Sequence, residues 1–551
     1  MGISRRKPWG STDVKQLGLI ASILSLGYVF WIVGAMEMIE RLAYYGVRAV
    51  CGLYAKSPAS QGGLGITPTQ FGAILMVWSG FQGTIPIFVG GLADRYGYKL
   101  MIGVSTCIKI TAYLIMAAFH SYLGFMLGAI CLATGTAIFK PGIQGTLAKA
   151  TNRSNSSMAW GIFYQTVNLG GFLGPLLAGL MRKMDWKFVF IACACIIACN
   201  FLLLLTYKEP GKEERLAALA KRQAEGKPQQ SLAAETWHEL WRPELIYFLA
   251  IFTGFYFMFN SLFDVLPLHL DDWVDTRDIV NSVSQVVNIK NGIVSFVCIL
   301  DKTGTRIQPE GLLNVNSGMI MLFCFFFAWL SSKMKILRSI ALGTALSSLA
   351  LCFIGLANTG WLALISVAIF SVGEMLSSPK FSEYVGSHLA PADKKAMYLG
   401  LGQMSFAIGS TIEGMVGPSL YDHFASKDRI ARQLLQQDHG WMPDAVNAIP
   451  HGEAFSRLVE VTGQNADALT KTLYHSYSVG NIWFVMAAVG FVTAALILVY
   501  GFWSSKRIKP AASSQEPDEE AQAAPQTETK TESQSEINAE TAENSDDTAK
   551  E

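Results

Sequence analysis

The sequence predicts an all-α membrane protein of twelve transmembrane helices, arranged as two six-helix halves. Three observations predict it. Of the 551 residues, 51% are hydrophobic and only 15% charged, whereas soluble domains carry about 25% charged residues. Mean hydropathy is +0.32. Apolar stretches recur along most of the chain, each at or above the ~18 residues needed to cross a bilayer core, and a polar segment divides them six and six.

The spans are read near 27–53, 70–90, 100–119, 122–148, 158–181 and 186–206, then near 244–269, 312–331, 338–357, 361–383, 395–420 and 477–503. Residues 1–206 form the first half and 244–504 the second. The connector 207–243 is rich in Lys, Glu, Ala and Gln and is read as a cytoplasmic linker. Such a six-linker-six layout is common among secondary transporters. The basic start Arg5-Arg6-Lys7 is not read as opening a cleaved signal peptide. The apolar run after it is too long, and it continues into charged residues.

Loop charge gives an orientation. Short loops on one side carry ten Lys or Arg and those on the other carry four, which places both termini in the cytoplasm. Arg182, Lys183 and Lys187 lie on the outer side and run against that rule. Two outer loops are long. In 271–311 the strand-like residues around Asn291-Gly292 predict a β-hairpin. The polar loop 422–476 is expected to be partly helical.

The tail 505–551 is expected to be disordered and acidic. Its segment 511–551 holds twelve acidic residues and two lysines, with almost no large apolar residue. The remainder of the chain is therefore basic, but its surplus is spread over loops. That suits anionic lipid and not nucleic acid. The nine cysteines show no paired spacing, so neither a disulfide framework nor a zinc site is expected. No cofactor is called for. Gly170-Gly171-Phe172-Leu173-Gly174 lies within a span, where close helix packing explains glycine better than phosphate binding. No nucleotide loop, metal cluster or nucleophile motif supports an enzyme.

Charges inside spans are costly and mark function. The first span holds Glu37, Glu40, Arg41 and Arg48, which fall with Tyr44 along one helical stripe. Lys109 and Lys140 add two cations in the third and fourth spans. The second half carries acids instead: Asp264, Glu374 and Glu413. A cavity between the halves would have a positive wall and a negative wall, which suits a zwitterion. Carboxylates among bases also suit proton coupling, with acids of the first and seventh spans as candidates.

The segment Gly90-Gly91-Leu92-Ala93-Asp94-Arg95-Tyr96-Gly97-Tyr98-Lys99 resembles the signature loop of the major facilitator superfamily. Glu37-x-x-Glu40-Arg41-Leu42-x-Tyr44-Tyr45-Gly46 resembles the first-helix hallmark of the proton-dependent oligopeptide transporter (POT) family, with Leu42 where Phe is usual. Lys140-Pro141, Phe163-Tyr164 with Asn168, Asn316, and Gly373-Glu374-Met375-Leu376-x-x-Pro379 resemble the family's fourth, fifth, eighth and tenth helices. The resemblance implies the major facilitator fold and proton-coupled import of di- and tripeptides. It implies proton coupling by Glu37, Glu40 and Arg41, with Lys140 as their electrostatic partner. Arg48 and Lys140 would take the peptide carboxylate and Glu374 the amine. Asn168 and Asn316 would contact the peptide backbone, and Tyr44 and Tyr45 would line the pocket.

The chain departs from that pattern in three places. The linker is too short for the two extra helices of many bacterial members. Gly83 stands where a pocket tyrosine is common. On the seventh helix the expected acid falls near Asn260, and Asp264 is one turn further on. The partners expected are a short peptide, protons and the lipid bilayer of the cell inner membrane, with the protein working as a monomer. The rival readings are a major facilitator transporter of another organic ion or a drug, and a membrane-embedded receptor.

Overall fold

In the computed structural model the structure describes residues 23–151, 156–213, 216–217, 237–289, 291–391 and 395–507. The predicted linker lies mostly outside these residues, and the predicted tail lies outside them beyond Arg507. The described residues up to Ser504 cluster as one compact unit.

Among the described residues, twelve helices have 20 or more residues. They are α1 (Tyr28–Arg48), α2 (Pro68–Tyr96), α3 (Tyr98–Ala118), α4 (Tyr122–Ala150), α5 (Ser156–Arg182), α6 (Trp186–Leu205), α7 (Pro243–Asp264), α8 (Pro309–Ser332), α9 (Ile336–Leu356), α10 (Gly360–Glu383), α11 (Lys395–Ala425) and α12 (Asn481–Arg507). Seven of the described helices are long and apolar enough, by composition alone, to cross a membrane. Large apolar side chains face outward along them, among them Leu123, Leu202, Leu205, Leu356 and Phe502. Only a lipid-facing surface tolerates such a belt. The protein is therefore a multi-pass membrane protein, all-α as its sequence predicts.

Local signals fix several helix ends. Thr67 and Gln70 form a capping box at the start of α2, and Pro68 sits at its first position. Gly97, with φ of 106°, turns the chain between α2 and α3, a conformation that favours glycine. Α7 ends at Asp264 and the chain continues as a separate short helix, Leu266–Trp273, with Pro267 in its first turn.

One large hydrophobic cluster draws all its residues from 240–500. The other clusters draw theirs from 26–207. Between the two sets, α2 packs on α11 and α5 packs on α8. Each pair joins a second helix of one set to a fifth helix of the other. Glycines bring backbones close at these seams. A Cβ on Gly414 would meet the Leu75 carbonyl carbon at 2.9 Å, and one on Gly72 the Gly414 oxygen at 2.7 Å. The glycine run on α5 packs likewise on α1, where a Cβ on Gly170 would meet the Met38 oxygen at 2.5 Å.

The β-hairpin expected around Asn291-Gly292 does not form. The described parts of that loop are helical at Arg277–Ser284 and Gly292–Val297. Asp278 Oδ1 and Oδ2 accept the Gly360 and Trp361 amides, each at 3.2 Å. This ties the first short helix to the start of α10. Val287 N then donates to Val283 O at 2.8 Å, a helical bond that leaves no strand to pair. The loop 422–476 folds as four short helices: Lys427–Gln437, Pro443–Asn447, Ala454–Thr462 and Ala466–Ser476.

Candidate functional site

Α1 carries the charged stripe at a buried seam. Glu37, Glu40, Arg41 and Arg48 are each at most 9% exposed. Arg41 Nε stands 3.2 Å from Glu37 Oε1, and its Nη2 is ion-paired to Glu40. The second cation on Glu40 comes from α3: Lys109 Nζ lies 3.0 Å from Glu40 Oε1. Lys109, and not Lys140, thus makes the contact ion pair with Glu40, while Lys140 acts on Glu37 and Glu40 through space. Lys109 is fully buried with its ammonium 3.9 Å from the Phe139 ring centre. Only a paired ammonium is tolerated at such depth. Arg48 is ion-paired to Asp264 at the end of α7.

A cavity of about 240 Å³ lies between the two sets of helices. It is lined by all seven residues expected to bind substrate: Tyr44, Tyr45, Arg48, Lys140, Asn168, Asn316 and Glu374. Arg41 also reaches it, whereas Glu37, Glu40 and Asp264 lie behind its wall. Asn316 Nδ2 donates to Glu374 Oε2 at 2.9 Å and to Ser371 Oγ at 3.1 Å. Asn168 Nδ2 donates to the carbonyl of Tyr164 on its own helix, at 2.9 Å.

The charges sort simply. The guanidinium groups of Arg41 and Arg48 are both matched by carboxylates. Among the described residues no carboxylate lies within 4.0 Å of the Lys140 ammonium, and no cation lies that close to Glu374. The positive and negative walls expected from the sequence therefore reduce to Lys140 on one side and Glu374 on the other.

Other lining residues escaped the sequence reading. Gln82 Oε1 accepts from the Tyr44 hydroxyl and from Trp78 Nε1, both at 3.0 Å. Tyr256, Phe259, Asn260, Gln403 and Phe406 supply much of the remaining wall. The signal for Gln82 and Gln403 was a long amide side chain well inside a membrane span. Gly83 cannot carry the pocket tyrosine common at that position. A Cβ there would stand 2.8 Å from the Ala407 Cα, so α2 and α11 would have to part.

Beyond Arg48, the segment after α1 and the start of α2 are bonded to the second half of the chain. Lys56 Nζ pairs with Asp271 at 2.8 Å and Asp272 at 2.6 Å. Ser60 Oγ donates to Glu453 and Thr69 Oγ1 to Asp422, at 2.6 and 2.7 Å. Arg182, the loop cation that ran against the charge rule, pairs at 2.9 Å with Glu310, which is fully buried.

Residues 18–412 match the family model described as Major Facilitator Superfamily. The chain belongs to that superfamily. Membership agrees with the reading that the chain is not an enzyme. Among curated relatives, the peptide transporter YePEPT of Yersinia enterocolitica is 30% identical over 161 residues, 28% of this chain and 31% of that protein. The uncharacterized transporter YclF of Bacillus subtilis is 27% identical over 162 residues, 29% of this chain and 33% of that protein. The matched stretch thus spans about a third of these relatives. A solved POT family transporter in complex with 5-aminolevulinic acid superposes with a TM-score of 0.60 at 17% identity. It covers 88% of this chain and 99% of that one. The two share a fold, which is the major facilitator fold the resemblance implied.

Proposed function

We propose that this chain is a proton-coupled symporter that imports di- and tripeptides by alternating access. The observation that carries the proposal is the pairing of an unmatched ammonium, Lys140, with an unmatched carboxyl, Glu374, across a cavity of about 240 Å³. Drug-sized ligands occupy pockets of ~300 Å³ and more, so this one suits a small molecule. A short peptide offers a carboxylate to Lys140 and an amine to Glu374. Asn168 and Asn316, which both line the cavity, would serve as amide partners for its backbone, and Tyr44 and Tyr45 supply an aromatic wall. The 5-aminolevulinic acid bound by the solved transporter also carries one amine and one carboxylate, which supports a zwitterion in this fold.

Coupling follows from the groups behind the wall. Glu37, Glu40 and Arg41 form one network with Lys109, and Asp264 forms another with Arg48. Protonating an acid in either network frees a cation, and so biases the rocking of residues 1–206 against 244–504. In this reading the protein sits in the cell inner membrane as a monomer with both termini cytoplasmic, and the end where Lys56 meets Asp272 is the outer one.

The test is uptake of labelled dialanine into proteoliposomes under an imposed pH gradient, acidic outside. Accumulation above the equilibrium level, competed by di- and tripeptides but not by free amino acids, is expected. Uptake that ignores the gradient would refute coupling. Uptake competed better by another organic ion would refute the peptide.

A further inference from the structure

Glu413 on α11 has no part in the site described above, yet it is fully buried. Neither of its carboxyl oxygens has a hydrogen-bond donor among the described residues. Its side chain leans toward α7. A Cβ on Gly417 would meet both Glu413 Oε1, at 2.2 Å, and Val265 Cγ2, at 3.1 Å. Val265 directly follows Asp264, so the Glu413 carboxyl lies beside the end of α7 that carries Asp264. Asp264 is 1% exposed and is itself ion-paired to Arg48.

The charges around this cluster can be counted element by element. Α7 contributes Asp264 and α1 contributes Arg48, with the Tyr44 hydroxyl beyond it. The short helix after α1 contributes Cys51, whose thiol lies 3.7 Å from Arg48 Nη1. The part of α2 that packs on α11, residues 68–86, contains no titratable side chain. His269, one turn beyond Val265, meets Trp483 and Tyr474 edge-on instead. Two carboxyls therefore share one guanidinium, away from water. Two such groups side by side cannot both ionise without a second cation.

The structure assigns Glu413 as the carrier of a proton shared with Asp264. Glu413 donates its O–H to Asp264, and Asp264 accepts Arg48 on its other face, so the closed cluster is neutral. The cluster joins α11, α7 and α1, and thus both sets of helices. When they part and water enters, the proton passes from the Glu413 oxygen to water, with no other bond made or broken. As a coupling site this rests on the symport reading above, but the proton itself does not.

Two measurements test it. The first is infrared difference spectroscopy of the purified full chain at neutral pH, comparing wild type with Glu413→Gln, Asp264→Asn and the double variant. One protonated-carboxyl component present in wild type should be missing from each single variant, because the carboxyl that remains in the pair is ionised by Arg48. The double variant should lose no further band. A Glu413→Gln spectrum that keeps the band overturns the proposal, and either single variant is sufficient to read it. The second is gradient-driven uptake. Losing one coupled proton at a gradient of about one pH unit should lower the accumulation ratio about tenfold, while counterflow exchange continues. An unchanged ratio in Glu413→Gln overturns the coupling role. If wild type itself accumulates no peptide, the symport reading fails, and the infrared band still decides whether Glu413 holds the proton.

Discussion

Lys109 Nζ lies 3.0 Å from Glu40 Oε1, with both side chains fully buried and 69 residues apart in the chain. Glu40 therefore faces two cations, Lys109 and Arg41. Removing one partner of a buried pair typically costs about 3–5 kcal/mol, because the other charge is left without compensation. Lys109→Met should destabilise the protein by that order. Lys140→Met removes a cation that balances no carboxylate directly. It should leave stability within about 0.5 kcal/mol of wild type while abolishing substrate uptake. Thermal unfolding of both variants in detergent, beside uptake assays, checks the contrast. Equal loss of stability would show that Lys140 is structural after all.

Glu374 meets Asn316 and no cation in the cavity. A peptide amine would form a charge-assisted hydrogen bond worth about 1.5–3 kcal/mol. Glu374→Gln should then weaken binding of free dipeptides about ten- to a hundredfold. N-acetylated dipeptides, already weak ligands, should lose little more. Competition assays with both ligand types separate this from a general disruption, in which the two would suffer alike and the melting temperature would fall.

Lys56 holds Asp271 and Asp272 at the end where the segment after α1 meets the second half, and Cys51 lies buried in the same segment. Partly exposed pairs of this kind contribute about 0.2–1 kcal/mol. Lys56→Ala should therefore raise the open fraction at that end by a few-fold. In a variant retaining only Cys51, labelling by a membrane-impermeant maleimide should speed up by that factor. An unchanged labelling rate would show that other bonds hold this end closed.

Lys427, at the start of the helix Lys427–Gln437, has its ammonium 4.3 Å from the Phe455 ring centre. Burial pushes its ammonium down to about 8, with Lys56 and Arg306 adding to the effect and Asp272 and Asp271 opposing it. The folded state thus gives up this proton more readily than the unfolded chain, whose value is near 10.5. Stability should accordingly rise with pH between about 8 and 10.5, since the unfolded state binds more protons there. Lys427→Met should stabilise the protein by about 1 kcal/mol at pH 7, and the gain should vanish by the top of that window. Melting curves of both proteins across this range check it.

The long helices, the membrane, seven of the residues that line the cavity and the sign of charge on each side of it were legible in the sequence. Each of these depends on local pattern: an apolar run long enough to span, a helical stripe, an ionisable residue where none is tolerated without purpose. The partners were decided only by the tertiary structure. Lys109 came into contact with Glu40, Arg48 was matched by Asp264, and Glu374 found Asn316, 58 residues away. Around Asn291-Gly292 helix took the place of the expected hairpin, and the short helix before it is held to the start of α10 through Asp278. Ion pairing falls off within a few ångströms in a setting where many charges compete. Which cation meets which acid therefore depends on how helices distant in the chain are packed, and glycine seams such as Gly72 against Gly414 set that packing.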